Sequence, residues 1–443
     1  MNIPICQPDL SKPVNDIATA SDCEVIGHSA AGRPLIVSYP GDRTKGLRIF
    51  VLAGQHGDEP DARDAAAELL TRVLAGSFLA PVRLAVLTDA NPDGALAGTR
   101  RNAADVDLNR DHLLLSTPEI SAVHAFVDRW QPDLIIDVHT YRPWRRELLP
   151  FDFVFPQDVM LDFPSNPAIR SAVAPSLERK ALEFVNRRMA QAAIRSDRYT
   201  IIRSGIVRHS NVDILDARNA LAIRFEIPAV LIEGRRSSPD DSIPFPAPKI
   251  ALLRALEAVI DWAADKAHVI GQRPSAHPAR VPVRCHHSGS NTPRYMEMQS
   301  ATKGDIATVE IPGAYLPDVQ VTTTVRLPSA YAVPRNLAGV LDAIARHRFT
   351  ATGGAQFRSS SSEAYCIESI IPARDEDTPP LPVCSIEPAR QNLDDFVVFP
   401  TRRQGGRLLA LLLEPESQFG PHRMPELAEM LQPGALYPIL RVL

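Results

Sequence analysis

A histidine and two acids crowd into four positions of the stretch "VLAGQHGDEPDA" (51–62), directly after an apolar run: His56, Asp58 and Glu59. Imidazole nitrogen and carboxylate oxygen are donors that zinc accepts, and a catalytic zinc uses three protein ligands and keeps one position open. The H-x-x-E spacing of His56 and Glu59 offers two such donors from one turn. "DLIIDVHT" (133–140) supplies a third, because His139 also follows an apolar run. Taken alone, so short a motif equally describes a loop with a hydrogen-bonded histidine and a surface acid.

Elements must bring these positions together. "LRIFVLA" (47–53), "VRLAVLT" (82–88), "DLIIDV" (133–138) and "PAVLIE" (228–233) are short, nearly continuous apolar runs. Strands buried on both faces read this way. Between them lie helical patterns: an Ala/Leu-rich stretch ending at Gly76, and a helix opened by the S-x-x-E pair Ser116 and Glu119 with Pro118 in its first turn. "KIALLRALEAVIDWAAD" (249–265) closes the series. The expected fold is α/β, a mixed, mainly parallel sheet flanked by helices, which presents His56 and His139 at neighbouring strand ends. The Pro-containing stretch 271–283 reads as a linker. Beyond it, "DIATVEI" (305–311), "DVQVTTTVRL" (318–327), "DFVVFP" (395–400) and "RLLALLLEP" (407–415) look β-like, with one helix around 336–347. The expected division is residues 1–270, a linker at 271–283, and a smaller β-rich C-terminal domain over 284–443.

The segment between Glu59 and His139 adds specificity. "IGHSAAGRPL" (26–35), "GQHGDEPDA" (54–62), "NPDG" (91–94), "RRNAADVDLNR" (100–110) and "DVHT" (137–140) occur in the order and rough spacing of one family's landmarks. Over residues 20 to 265 the chain resembles the zinc carboxypeptidases of the carboxypeptidase A type. The resemblance implies one zinc per chain held by His56, Glu59 and His139. It implies Arg101 at the oxyanion of the scissile carbonyl, and Asn109 with Arg110 on the substrate's terminal carboxylate. A guanidinium suits that task because it forks onto a carboxylate. Glu233, at the end of a late strand, is implied as general base, with Glu226 as runner-up. The chain departs from the family at Asp105, where glycine is usual, and in having no tyrosine shortly before Glu233. Tyr199 lies further upstream and Tyr141 sits two residues after His139, while His209 is a stand-in donor.

The resemblance implies a carboxypeptidase-type hydrolase that cleaves a C-terminal residue from a peptide or peptide-like amide by metal-activated water. A second reading is a deacylase of N-acyl amino acids resembling aspartoacylase and succinylglutamate desuccinylase. A third is a catalytically silent binding protein. Either enzyme expects a small substrate with a free carboxylate. Composition narrows the partners. The 443 residues are 45% hydrophobic and 23% charged, with a formal net charge of -4. No basic block supports nucleic-acid binding. Five scattered cysteines form neither a disulfide framework nor a zinc ribbon. The N-terminal stretch shows neither a signal peptide nor a membrane span, so a cytoplasmic location is expected. His112 and His124 are expected to pack or face water, and the pair His286–His287 to be solvated.

Overall fold

The computed structural model describes residues 22–41, 44–169, 175–203, 205–209, 211–236, 248–272, 279–290, 294–311, 313–353, 357, 360–373, 379–389 and 392–443. The N-terminal stretch and residues 273–278 of the expected linker lie outside them.

Eight strands form the main sheet: β1 (Asp22–His28), β2 (Pro34–Tyr39), β3 (Leu47–Ala53), β4 (Val82–Leu87), β5 (Leu134–Tyr141), β6 (Val159–Asp162), β7 (Ser196–Arg198) and β8 (Ala229–Arg235). Their order is β1-β2-β4-β3-β5-β8-β6-β7. The central four, β4-β3-β5-β8, are parallel. Antiparallel pairings attach β1 and β2 on one side and β6 on the other. The mixed sheet with a parallel centre is therefore as expected.

Alternation along the strands splits the core between the two faces. Ile49, Val51 and Ala53 pack with the helices Pro60–Leu74, Pro175–Gln191 and Pro248–Asp265. Phe50 and Leu52 pack with Pro118–Trp130 and Ala217–Phe225. Side chains on a strand point to opposite faces in turn, so a strand covered on both sides must be apolar throughout. The helix after the expected S-x-x-E pair is capped one residue later, by Thr117, whose hydroxyl accepts from the Ile120 amide. Glu119 instead bonds the Ala30 amide and Asn102, tying β1's turn to the loop before the site.

The C-terminal part is β-rich, as expected, but one run was misread. "RLLALLL" forms the helix Gly406–Leu413, buried along its whole length. An apolar run buried on every side shows no period, so sequence cannot tell strand from helix there. The expected linker ends inside a strand, Arg280–Ser290. Contact between the two parts is continuous. Leu113, Val212, Ile214 and Ile223 share one apolar cluster with Tyr331, Leu408, Leu412 and Tyr437. Strand Ala314–Arg326 runs parallel to Ile206–Arg208, and Arg294–Ser300 pairs with Phe153–Val154. Among the described residues no helix is long and apolar enough to cross a membrane.

Candidate metal centre and active site

His56 lies in the turn after β3, Glu59 caps the next helix, and His139 lies near the end of neighbouring β5. The turn fits only because Gly57 has no side chain. A Cβ there would stand 2.0 Å from the backbone of Gly94, which fixes "GQHGDE" against "NPDG". Three buried donor atoms converge. His56 Nδ1 is 2.8 Å from Glu59 Oε1, His139 Nδ1 is 3.2 Å from Glu59 Oε2, and the two Nδ1 atoms are 3.1 Å apart. Among the described residues these three form the one cluster of three donors that could hold a metal ion. Nitrogen and oxygen ligands about 2.0–2.2 Å from a tetrahedral zinc stand roughly 3.3–3.5 Å apart, close to this triangle. The two Nδ1 atoms, 3.1 Å apart, can both turn lone pairs to one cation between them. The residues therefore fit zinc.

Outer partners aim these ligands, and the sequence reading missed them. His56 Nε2 meets Asp107 Oδ1 at 3.2 Å, and His139 Nε2 meets Asp137 Oδ1 at 3.1 Å. A carboxylate on the far nitrogen fixes the tautomer and leaves Nδ1 for the metal. Both acids were visible, in "DLNR" and "DVHT", beside residues given other roles. Burial opposes ionisation of Glu59 and Asp107, but bonds to the histidines outweigh it and hold both well below the usual carboxylate range. Burial also opposes a charged His139, yet Asp137 and Glu59 hold that ring well above its usual value. Negative charge thus dominates the cluster, as a cation site requires. Gln55 donates to Asp137 Oδ1 at 2.7 Å, and its Oε1 meets His112 Nε2 at 2.8 Å. His112 and His124 are both buried and 3.0 Å apart, so neither faces water.

The arginines divide differently from expectation. Arg101 is exposed and its guanidinium bonds the Asp105 carbonyl and carboxylate. Arg100 lies beside the cluster, with Nε on Asp107 Oδ2 at 2.9 Å and NH1 3.4 Å from His56 Nδ1. Adjacent residues on a loop point to opposite sides, and "RR" alone does not say which one turns inward. Asp105 takes a left-handed φ of 59°, which explains why glycine suits the position. Asn109 is buried, with Oδ1 accepting the Ala217 amide at 2.9 Å and Nδ2 3.2 Å from His139 Nε2. Arg110 is exposed and donates to the Asn109 carbonyl.

Glu233 on β8 pairs in register with His139 on β5. Its Oε2 is shut off from solvent and has no hydrogen-bond partner. Burial pushes its carboxyl up to about 7; His139 pulls the other way and Glu59's charge adds to the rise. Arg236, a possible salt-bridge partner, is taken by Asp58. The runner-up Glu226 ends its helix and pairs with Arg407 at 3.0 Å. Tyr199 lies within electrostatic reach of Glu233, and its hydroxyl accepts from Arg145 at 3.4 Å. Its distance in sequence from Glu233 had concealed it. Tyr141 is buried, with its hydroxyl bonded to the Gln157 carbonyl. His209 holds the Tyr199 carbonyl and meets the Tyr315 hydroxyl, each at 3.0 Å. Of the second histidine pair, His286 is exposed while His287 is partly buried.

A mixed sheet with a His-Glu-His donor set at its strand ends can hold a metal ion there. Residues 12–209 match the family profile described as zinc carboxypeptidase. The match stops before Glu233. A "Carboxypeptidase 2" of Trichophyton rubrum is 24% identical over 197 residues, 42% of this chain and 36% of that protein. A "Murein peptide amidase A" of Vibrio campbellii is 36% identical over 104 residues, 24% of this chain and 38% of that one. The matched stretch thus spans less than two-fifths of either relative's length. Among solved structures, a metallo-carboxypeptidase from Pseudomonas aeruginosa aligns with a TM-score of 0.44 at 22% identity, covering 58% of this chain and 68% of its own.

Proposed function

We propose that this chain is a zinc-dependent amide hydrolase of the carboxypeptidase type, removing a C-terminal residue from a peptide or peptide-like amide. The observation that carries the reading is the buried triangle of His56, Glu59 and His139, with Glu233 beside it on the adjacent strand. One zinc held there supplies Lewis acidity that activates water and polarises a carbonyl.

The chain's own residues supply the rest. Glu233, withdrawn from solvent on the strand beside His139, takes a proton from the attacking water and returns it to the leaving amine. Arg100 takes the oxyanion role that the motif suggested for Arg101, because its guanidinium borders the ligand cluster. Arg110 binds the substrate's free carboxylate. Asn109 supports it from behind, buried and with its Oδ1 already accepting the Ala217 amide. In this reading residues 1–270 are the catalytic unit, and the β-rich residues 284–443 brace its mouth without contributing a ligand.

The test uses the full chain, loaded with zinc, on an N-blocked dipeptide, the same peptide amidated at its C-terminus, and an N-acyl amino acid. Cleavage of the free-acid dipeptide, slowed at least tenfold by amidation, supports the reading. Equal rates on acid and amide overturn it. Turnover of the N-acyl amino acid alone assigns the chain to the deacylases.

A further inference from the structure

The segment 140–158 carries three arginines, and one differs from the others. Arg142 and Arg146 are exposed. Arg145 is half-buried, and its Nε is cut off from solvent without a hydrogen-bond partner. Its one described side-chain bond is from NH2 to the Tyr199 hydroxyl at 3.4 Å, and none of the described carboxylates lies in ion-pair contact with it. A guanidinium withdrawn from water without an anion is costly, so such a group is normally completed by a ligand. It follows the end of β5 that carries His139, and Tyr199 donates its amide to Leu161 on β6, where the adjacent Met160 pairs with Glu233.

The fold fixes Arg145 in place. Phe155 donates to the Pro143 carbonyl at 2.9 Å, and Trp144 bridges to Val154. Phe153–Val154 pairs with Arg294–Ser300 of the C-terminal part, and Asp152 binds Ser300 and Thr302. Tyr199 is anchored from the same side, through His209 and Tyr315. C-terminal strands therefore hold both donors in place.

Arg110 is a second guanidinium without an ion pair among the described residues. The acids near it, Asp107, Asp213 and Asp216, have nearer cations in Arg100, Arg423 and Arg218. Neither Arg110 nor Arg145 forms an ion pair among the described residues.

We propose that Arg145, with the Tyr199 hydroxyl, reads a second carboxylate on the substrate, so that the preferred leaving residue is dicarboxylic, bearing an acidic side chain as well as its free carboxylate. This rests on the carboxypeptidase reading above. Arg145 would be a specificity-determining residue rather than a mere counter-charge to Glu233.

The test compares the zinc-loaded full chain with Arg145→Gln and Arg145→Lys on two N-blocked dipeptides, one ending in glutamate and one in the neutral isostere glutamine. Wild type should favour the glutamate peptide by about tenfold to a hundredfold in kcat/KM, the worth of a charge-assisted hydrogen bond. Arg145→Gln should bring that ratio to within threefold of one, through KM on the glutamate peptide, and Arg145→Lys should restore part of it. A wild-type ratio near one, or an unchanged ratio in Arg145→Gln, overturns the proposal while leaving the hydrolase reading intact. If wild type cleaves neither peptide, the hydrolase reading fails, and calorimetry with glutarate and its monoamide decides the inference. Glutarate binding at least tenfold tighter, lost in Arg145→Gln, supports it, and equal binding overturns it. Thermal melting of each variant shows that it is folded.

Discussion

Lowering the pH from 7 to 5 should destabilise this protein through three buried histidines, and the size of the effect follows from their hydrogen bonds. Gln55 must turn its amide nitrogen to Asp137, which only accepts, so its oxygen faces His112 Nε2. That nitrogen therefore carries the proton, and His112 Nδ1 accepts from His124 Nε2. His347 Nε2 donates to the Leu113 carbonyl at 2.7 Å. All three rings are thus neutral, and the bare Nδ1 atoms of His124 and His347 have no partner. Adding a proton would bury a charge near the Arg224 guanidinium. Burial holds His112 at about 4, His347 at about 3 and His124 well below the ordinary 6.5. Because these folded values lie below the unfolded one, the unfolded chain takes up protons first. Stability is complete above 6.5 and is lost as the pH falls toward 4. At pH 5 the unfolded ring lies 1.5 units below its pKa, which costs the fold about 2 kcal/mol per histidine, or about 6 kcal/mol for three. That is comparable to the whole stability of many domains. Urea unfolding in chelator at pH 7, 6 and 5 measures it, with His124→Phe as the comparison that removes one of the three rings. The stability lost by the variant between pH 7 and 5 should be smaller than that of wild type by about 2 kcal/mol. Parallel pH dependences for the two proteins would refute the neutral relay.

Other outcomes concern the site. Purified wild type should hold about one zinc, and His139→Ala close to none by elemental analysis, since one of three ligands is gone; full zinc in the variant would move the site elsewhere. Glu233→Gln should keep the metal and lose about 10²-fold or more in kcat, as expected for a lost general base; turnover within a few-fold of wild type would reassign the base. Arg100→Gln should lower kcat by about 10²–10³-fold, the cost of a lost oxyanion donor, whereas Arg101→Gln should stay within about threefold. The reverse order would restore the role to Arg101.

Strand ends made the donor residues candidates, and the ordered motifs of the family resemblance made the set legible. His56, Glu59 and His139 each follow an apolar run long enough to be a strand, and strands buried on both faces advertise themselves by continuous hydrophobicity. The parallel centre of the sheet followed from the same runs. Three things needed the tertiary structure. Gly406–Leu413 is a helix because it is packed on all sides, which erases the period that would have marked it. Arg100 rather than Arg101 borders the ligands because a local turn, ending in the left-handed Asp105, sends neighbouring side chains opposite ways. Tyr199, Arg145 and the His112–His124–His347 relay come together from segments far apart in the chain, two of them held by C-terminal strands or by a helix end at His347. Sequence spacing encodes contacts along one element or between adjacent ones. Contacts between distant segments are set by how helices and strands pack, and the contact between Arg145 and Tyr199 is of that kind.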